Sequence, residues 1–266
     1  MAKLPKQYQF IDLSDYGRTP GRWIAQSLVH TNFTPIGVTT LFIIAGLLAI
    51  VAILFNYPLL AAFLIVLKST LDAADGELSR LKKTPSYTGR YYDSVADIIL
   101  NFLFLLTFMY VTDGSFLYTC LAFIAIQLQG TVYNYYYVIL RNSVNGDSTS
   151  RVFETEAPIA LAGEKQSTVN TFFKVYYVLY GAFDKIVYQI DKGAVDSKPF
   201  PSWFMTMVSM YGLGFQLLLM VVMLVLNLQN YVIPFFICYS GFILLFLAIR
   251  KWILGSRTGA MVGEIE

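Results

Sequence analysis

Six long apolar segments separated by polar connections dominate this sequence of 266 residues. They lie near residues 35–55, 57–81, 91–111, 116–140, 205–227 and 231–252. Each is close to the roughly 20 residues that an α-helix needs to cross the hydrocarbon core of a bilayer. Because a backbone in lipid must satisfy its own hydrogen bonds, such segments form helices. The sequence therefore predicts an all-α, polytopic membrane protein with six transmembrane helices.

The composition agrees with this prediction and excludes several other classes. Hydrophobic residues make up 56% of the chain and charged residues 14%, whereas an ordinary soluble domain has about 25% charged residues. A disordered chain, a collagen, a coiled coil and a disulfide-stapled secreted domain are excluded. The net charge of +2 is too small to indicate a nucleic-acid partner. Residues 1–34 contain no continuous apolar core, so no cleavable signal peptide is expected.

The basic residues predict the orientation of the chain in the membrane. Of the 19 lysines and arginines, 18 fall on one side of the predicted spans, and Lys68 lies within a span. The connections at 55–57, 112–115 and 228–230 contain neither lysine nor arginine. By the positive-inside rule, the basic side is cytoplasmic. Both termini are therefore expected in the cytoplasm, and a bacterial inner membrane and the endoplasmic reticulum both fit this orientation.

The predicted organisation is one membrane domain with two flanking segments. These are a cytoplasmic N-terminal segment at 1–34, a six-span domain at 35–255 with a cytoplasmic portion at 141–204, and a cytoplasmic tail at 256–266. Segments 20–31 and 168–190 are predicted to form short amphipathic helices at the membrane surface. Segment 168–190 could instead be a seventh crossing. Its Lys174, Asp184 and Lys185 argue against a crossing, because a charge at the bilayer centre costs about 3 kcal/mol.

Four aspartates within the second and third spans are the strongest functional candidates, because ionisable residues are expensive in a membrane. Asp72 and Asp75 are three residues apart, and Asp93 and Asp97 are four apart, so each pair shares a helix face. The short turn between the spans places all four near the cytoplasmic surface. Such a group needs a compensating cation, and hard oxygen ligands select Mg²⁺, Mn²⁺ or Ca²⁺ over zinc. Two such ions held together commonly serve displacement at phosphorus.

Residues around these aspartates each have a functional and a structural interpretation. Gly76 leaves room either for a ligand or for tight helix packing. Arg80 can bind a phosphate or anchor the helix on the basic side, and Gly89 fits a turn. Lys68 can extend toward lipid headgroups or meet a substrate phosphate. The tyrosines between 133 and 137 are predicted to form an aromatic belt at the cytoplasmic interface.

Residues 72–97 resemble the signature of the CDP-alcohol phosphotransferases, also called CDP-alcohol phosphatidyltransferases. The sequence reads Asp72-x-x-Asp75-Gly76-x-x-Ser79-Arg80, eight further residues, then Gly89-x-x-x-Asp93-x-x-x-Asp97. Seven of the eight fixed positions of the family pattern match, and Ser79 stands where the family has alanine. The family also has six spans, with this motif across the second and third. The resemblance therefore extends from the motif to the architecture.

The resemblance implies a membrane enzyme of phospholipid synthesis with its active site at the cytoplasmic membrane edge. Asp72, Asp75 and Asp93 would hold two divalent cations, Mg²⁺ or Mn²⁺. Asp97 would complete the metal site and act as the general base. The implied substrate-binding residues are Gly76 and Arg80 at the cytidine nucleotide, together with Ser79 and Gly89. The resemblance also implies a homodimer.

The sequence leaves the substrates open and disfavours two other functions. The expected donor is CDP-diacylglycerol, with glycerol phosphate, an inositol species or serine as acceptor. The alternative is a soluble donor such as CDP-choline or CDP-ethanolamine with a lipid alcohol as acceptor. A cation-binding transporter would have carboxylates near the bilayer centre on several separated helices. An intramembrane prenyltransferase would need a second aspartate-rich motif after Asp97, and the sequence has none.

Overall fold

The computed structural model describes residues 4–144, 154–195, 197 and 199–254. Within these ranges the regular structure is helical, with no strand. The α-helices are α1 (Arg18–Leu28), α2 (Pro35–Leu54), α3 (Pro58–Lys82), α4 (Tyr87–Val111), α5 (Phe116–Ser143), α6 (Gln166–Ile190), α7 (Ser202–Val208), α8 (Leu213–Val225), α9 (Val232–Tyr239) and α10 (Phe242–Ile249). The prediction of an all-α fold is confirmed. The predicted tail at 256–266 lies outside the described residues.

Four of the helical stretches are long and apolar enough to cross a membrane, namely Pro35–Leu54, Tyr87–Val111, Phe116–Ser143 and Gln229–Trp252. Ser202–Tyr211 and Leu213–Val225 make a fifth if they are taken as one span that is bent by 54°. Helix α3 coincides with the predicted span at 57–81, but its charged residues keep it out of this group. The amphipathic helix α6 is not in the group either.

Local sequence explains how α2, α3 and α4 are arranged. The side chain of Thr34 accepts a hydrogen bond from the backbone N–H of Gly37 at 3.1 Å and caps α2, as its place before a proline predicts. Helix α3 ends at Lys83, whose φ of 55° is left-handed. Ser86 then caps α4 by accepting from Gly89 N–H at 2.8 Å. Helix α2 packs against both α3 and α4.

The N-terminal segment crosses the bend between α7 and α8. The backbone N–H of Leu13 donates to Ser209 Oγ at 3.0 Å, and Tyr133 on α5 donates to Asp12 Oδ2 at 2.5 Å. A side chain at Gly214 would collide with the backbone of Ser14, so glycine is required where the two segments touch. The first and last thirds of the chain therefore meet on one side of the helix bundle.

The loop before α6 secures the beginning of α4 through Glu164. Its carboxylate accepts hydrogen bonds from the backbone N–H of Thr88 at 2.7 Å and of Tyr87 at 3.1 Å, and from Ser86 Oγ at 2.8 Å. Burial alone would raise the pKa of Glu164, but the bonds from Thr88 and Ser86 hold it below its usual value. A carboxylate at a helix N-terminus is also favoured by the helix dipole.

Replacing Glu164 by alanine is expected to lower the free energy of unfolding by about 1 kcal/mol, because the start of α4 loses its acceptor. Since the folded-state pKa of Glu164 is lowered, this contribution is present at neutral pH. It is lost as the pH falls below the ordinary glutamate value of about 4.3. Thermal unfolding in detergent at pH 7 and pH 4 measures both effects. Glu156→Ala, at an exposed residue of the same loop, is the control, and equal midpoints for the two variants would contradict the assignment.

Candidate active site

A polar cavity of about 460 Å³ lies among α3, α4, α5, α6, α8 and the N-terminal segment. All four predicted aspartates line it, together with Gly76 and Arg80. The structure thus brings the predicted catalytic and metal-binding side chains into one chamber. Each side chain owes its position to a helix rather than to a loop, because α3 and α4 carry the aspartates at three- and four-residue spacing.

Three of the aspartates form a cluster that is suited to a metal ion. Asp72, Asp75 and Asp93 each offer a carboxylate oxygen, and these oxygens lie within 4.8 Å of one another. Asp75 is also oriented by Thr39 on α2, whose hydroxyl donates to its Oδ2 at 2.6 Å. In the described part of the chain, the buried Oδ1 of Asp93 has no hydrogen-bond partner. A buried carboxylate oxygen without a donor, beside two further carboxylates, fits a hard divalent cation such as Mg²⁺ or Mn²⁺.

Asp97 lies beside this cluster and is bound to Lys68 instead. The ammonium group of Lys68 donates to Asp97 Oδ1 and also lies 3.5 Å from Asp72 Oδ2. Lys68 is only 1% exposed, so neither suggested role, reaching lipid headgroups or meeting a substrate phosphate, describes its position. A buried ammonium group needs an anionic partner, and the aspartates supply it. Sequence spacing alone did not pair Lys68 with a residue 29 positions away.

The four predicted substrate-binding residues fall into two pairs. Gly76 and Arg80 line the cavity, and a Cβ added to Gly76 would meet only the Arg80 guanidinium, at 3.6 Å. No second helix packs closely there, which favours ligand approach over helix packing. Ser79 and Gly89 are instead part of the α3–α4 connection. Ser79 Oγ donates to the backbone oxygen of Thr84 at 3.0 Å, and Gly89 donates to the Ser86 cap.

Helix α6 supplies a wall of the cavity that the sequence analysis did not assign to the site. Tyr176, Tyr180 and Asp184 line the chamber at four-residue spacing. The two tyrosine rings stack with centroids 4.9 Å apart, and Tyr180 donates to the backbone oxygen of Ser94 on α4 at 2.9 Å. Burial, and then the charge of Glu154, raise the pKa of Asp184 to about 7. The regular spacing on an amphipathic helix was the available signal.

The prediction of an aromatic belt between residues 133 and 137 is wrong. Tyr135 and Tyr136 are buried, and their hydroxyls donate to the backbone oxygen and the carboxylate of Asp191 at 2.9 and 2.7 Å. Tyr133 and Tyr137 stack on each other with centroids 5.6 Å apart and line the cavity. The tyrosines therefore serve the protein interior and the chamber rather than the lipid interface, because this part of α5 packs against Asp191, Phe200 and Phe204.

The fold and the chamber define an integral membrane protein with an acidic, cation-suited site between two of its helices. The family model for CDP-alcohol phosphatidyltransferases matches residues 33–195, which is more than half of the chain, and the chain belongs to this family. It is accordingly an enzyme of phospholipid synthesis that transfers a substituted phosphate group from a CDP-alcohol to an alcohol acceptor. The matched residues run from the cap of α2 to just beyond α6. No curated protein matches the chain significantly.

Proposed function

We propose that this protein transfers the phosphatidyl group of CDP-diacylglycerol to the hydroxyl of a small polar acceptor and releases CMP. The observation that carries the proposal is the cluster of Asp72, Asp75 and Asp93, with Asp97 beside it in the same chamber. The family defines the reaction type. The donor, the metal ions and the individual residue roles are the parts that we propose.

The three clustered aspartates and Asp97 are proposed to hold two divalent cations, Mg²⁺ or Mn²⁺. When bound, these ions would neutralise the charge of the diphosphate. Asp75 is kept in place for this role by Thr39, and Asp93 presents an oxygen without a donor. Arg80 reaches the chamber from one turn further along α3. Its guanidinium suits the nucleotide phosphates, while Gly76 leaves space for the nucleotide.

Asp97 is proposed to act as the general base. Its carboxylate would take the proton of the acceptor hydroxyl, and the oxygen would form a bond to the phosphorus that carries the diacylglycerol group. The bond from that phosphorus to the CMP oxygen would break, and CMP would leave. Lys68 is bound to Asp97 and lies close to Asp72. This ion pair would keep the Asp97 carboxylate in a fixed orientation. Ser79 and Gly89 are also proposed to bind substrate. In the structure, both make hydrogen bonds within the connection between α3 and α4.

We infer a membrane arrangement with six crossings. They are the four apolar helical stretches, the bent pair taken as one span, and α3. The aspartates of α3 occupy the half that ends in Arg80 and Lys82, which the positive-inside rule places at the cytoplasmic surface. The active site would then lie at the cytoplasmic membrane edge, with both termini cytoplasmic. Helix α6 would lie in the interface above it. A homodimer in a bacterial inner membrane or the endoplasmic reticulum is part of the same proposal.

The test is CMP release by the purified protein in detergent micelles with CDP-diacylglycerol, a panel of polar acceptors and Mn²⁺ or Mg²⁺. We expect release that requires both the acceptor and the metal ion and that stops when a chelator is added. Release only with a soluble CDP-alcohol and diacylglycerol would make the donor assignment wrong. Absence of release with every donor and acceptor would contradict the proposed reaction.

A further inference from the structure

The wall that α6 contributes to the chamber consists of one carboxyl group and two aromatic rings. Asp184 is half-buried there, and no basic side chain is bonded to it in the described part of the chain. Tyr176 and Tyr180 stack in front of it on the same helix face. A carboxyl group and aromatic rings along one helix face are the groups that bind ammonium ions.

This wall adjoins the reacting end of the chamber. The hydroxyl of Tyr180 donates to the backbone oxygen of Ser94, the neighbour of Asp93. Asp184 lies four residues from Tyr180, about 6 Å along the α6 axis. A group held at Asp184 is therefore in the same chamber as Asp93 and Asp97.

The basic residues of the chamber are placed on other walls. Arg80 on α3 is bound to Glu77 at 3.3 Å, and Arg18 on α1 is bound to Asp15 at 2.8 Å. Arg141 lies against the Tyr137 ring on α5. If the acceptor alcohol carried a phosphate group, these arginines on the other walls would be its counter-ions. The α6 residues that line the chamber include no basic side chain.

We propose that Tyr176, Tyr180 and Asp184 bind the ammonium group of an amino alcohol, the substrate that reacts beside Asp97. This inference rests on the proposed function and specifies its substrate class. In the reaction proposed above, the amino alcohol is the acceptor, and its hydroxyl attacks phosphorus while its ammonium group contacts the α6 wall. If the donor is instead a soluble CDP-alcohol, the same ammonium group belongs to the donor. Binding of the cation favours the ionised form of Asp184.

The experiment compares each amino alcohol with its uncharged isostere, using the full chain in micelles with Mn²⁺. With CDP-diacylglycerol as donor, choline is paired with 3,3-dimethylbutan-1-ol, and serine, ethanolamine and glycerol 3-phosphate complete the panel. A second arm supplies CDP-choline and diacylglycerol. We expect kcat/KM for an amino alcohol to exceed that for its isostere at least about tenfold, the size of a desolvated cation–π contact.

The variant Asp184→Asn keeps the shape of the side chain and removes its charge. It is expected to raise KM for the amino alcohol about tenfold with a smaller change in kcat, and to leave KM for the uncharged isostere unchanged. Tyr176→Leu, which removes one ring, is expected to act in the same direction. Asp113→Asn, the same substitution in the turn between α4 and α5, is the control and should behave as the wild type.

The outcomes separate the two proposals. Preference for glycerol 3-phosphate over every amino alcohol, with no effect of Asp184→Asn, would overturn the ammonium site and leave the proposed transfer intact. An effect of Asp184→Asn confined to the CDP-choline arm would support the ammonium site and overturn the CDP-diacylglycerol assignment. Equal kcat/KM for choline and its isostere in the wild type would overturn the ammonium site directly. Absence of CMP release in both arms would overturn both proposals.

Discussion

Replacing Asp93 by asparagine is expected to abolish most of the CMP release, with a loss of about a thousandfold. The substitution removes one of the three clustered carboxylates, and the electrostatic help that a divalent cation gives to transfer at phosphorus is several kcal/mol, with 1.36 kcal/mol for each tenfold in rate. The change is nearly isosteric, and Asp93 Oδ1 loses no hydrogen bond in the described residues because it makes none there. The Asp93→Asn variant should therefore keep its fold.

Two measurements identify the cause of this loss. The Mn²⁺ concentration needed for half-maximal activity should rise in Asp93→Asn, and direct binding of Mn²⁺ to the purified protein should weaken. Asp113→Asn, outside the chamber, controls for the amide substitution itself. Unchanged Mn²⁺ binding in a folded Asp93→Asn protein would show that the three-aspartate cluster is not the metal site.

Replacing Asp97 by asparagine is the second substitution with a large expected effect. General base catalysis contributes about 10²- to 10⁴-fold to a rate, so kcat should fall by that factor at saturating Mn²⁺ while KM for the donor changes little. Asp97 stands apart from the three-aspartate cluster and is bound to Lys68. Full activity in Asp97→Asn would make the base assignment wrong.

Lys68 complicates this experiment and also offers its control. In Asp97→Asn, Asp72, 3.5 Å away, is the carboxylate that remains paired with the buried Lys68 ammonium among the described residues, and breaking a buried ion pair costs about 3–5 kcal/mol of stability. The double variant with Lys68→Met removes the unpaired charge and should recover stability without recovering activity. If Lys68 acts through Asp97, the double variant should also be no slower than Asp97→Asn alone.

The helices were predictable because apolar length and charge placement are local properties of the sequence. The prediction of Thr34 as the cap of α2 is confirmed for the same reason. The bend of 54° between Ser202–Tyr211 and Leu213–Val225 was not predictable. At this bend Gly214 packs against Ser14 of the N-terminal segment, 200 residues earlier in the chain. Periodicity carries no information about such a contact.

Within the site, helical spacing and the family signature named the aspartates, and the structure brings all four to the chamber. Residues from distant elements were missed. Thr39 orients Asp75 from α2, Tyr180 contacts Ser94 from α6, and Lys68 pairs with Asp97 across two helices. These contacts depend on how the helices pack, and each residue also suits an ordinary surface or core position. The sequence alone therefore could not assign them.

The path of the N-terminal segment has a consequence for biosynthesis. Leu13 is bonded to Ser209, and Asp12, which lines the chamber, is bonded to Tyr133. Leu13 is thus synthesised 196 residues before its partner Ser209. The chamber cannot close while the ribosome is still adding α7 and α8, even though both motif helices are already synthesised. Helices α3 and α4, which carry the aspartates, are therefore synthesised before the residues of α8 that complete the chamber wall.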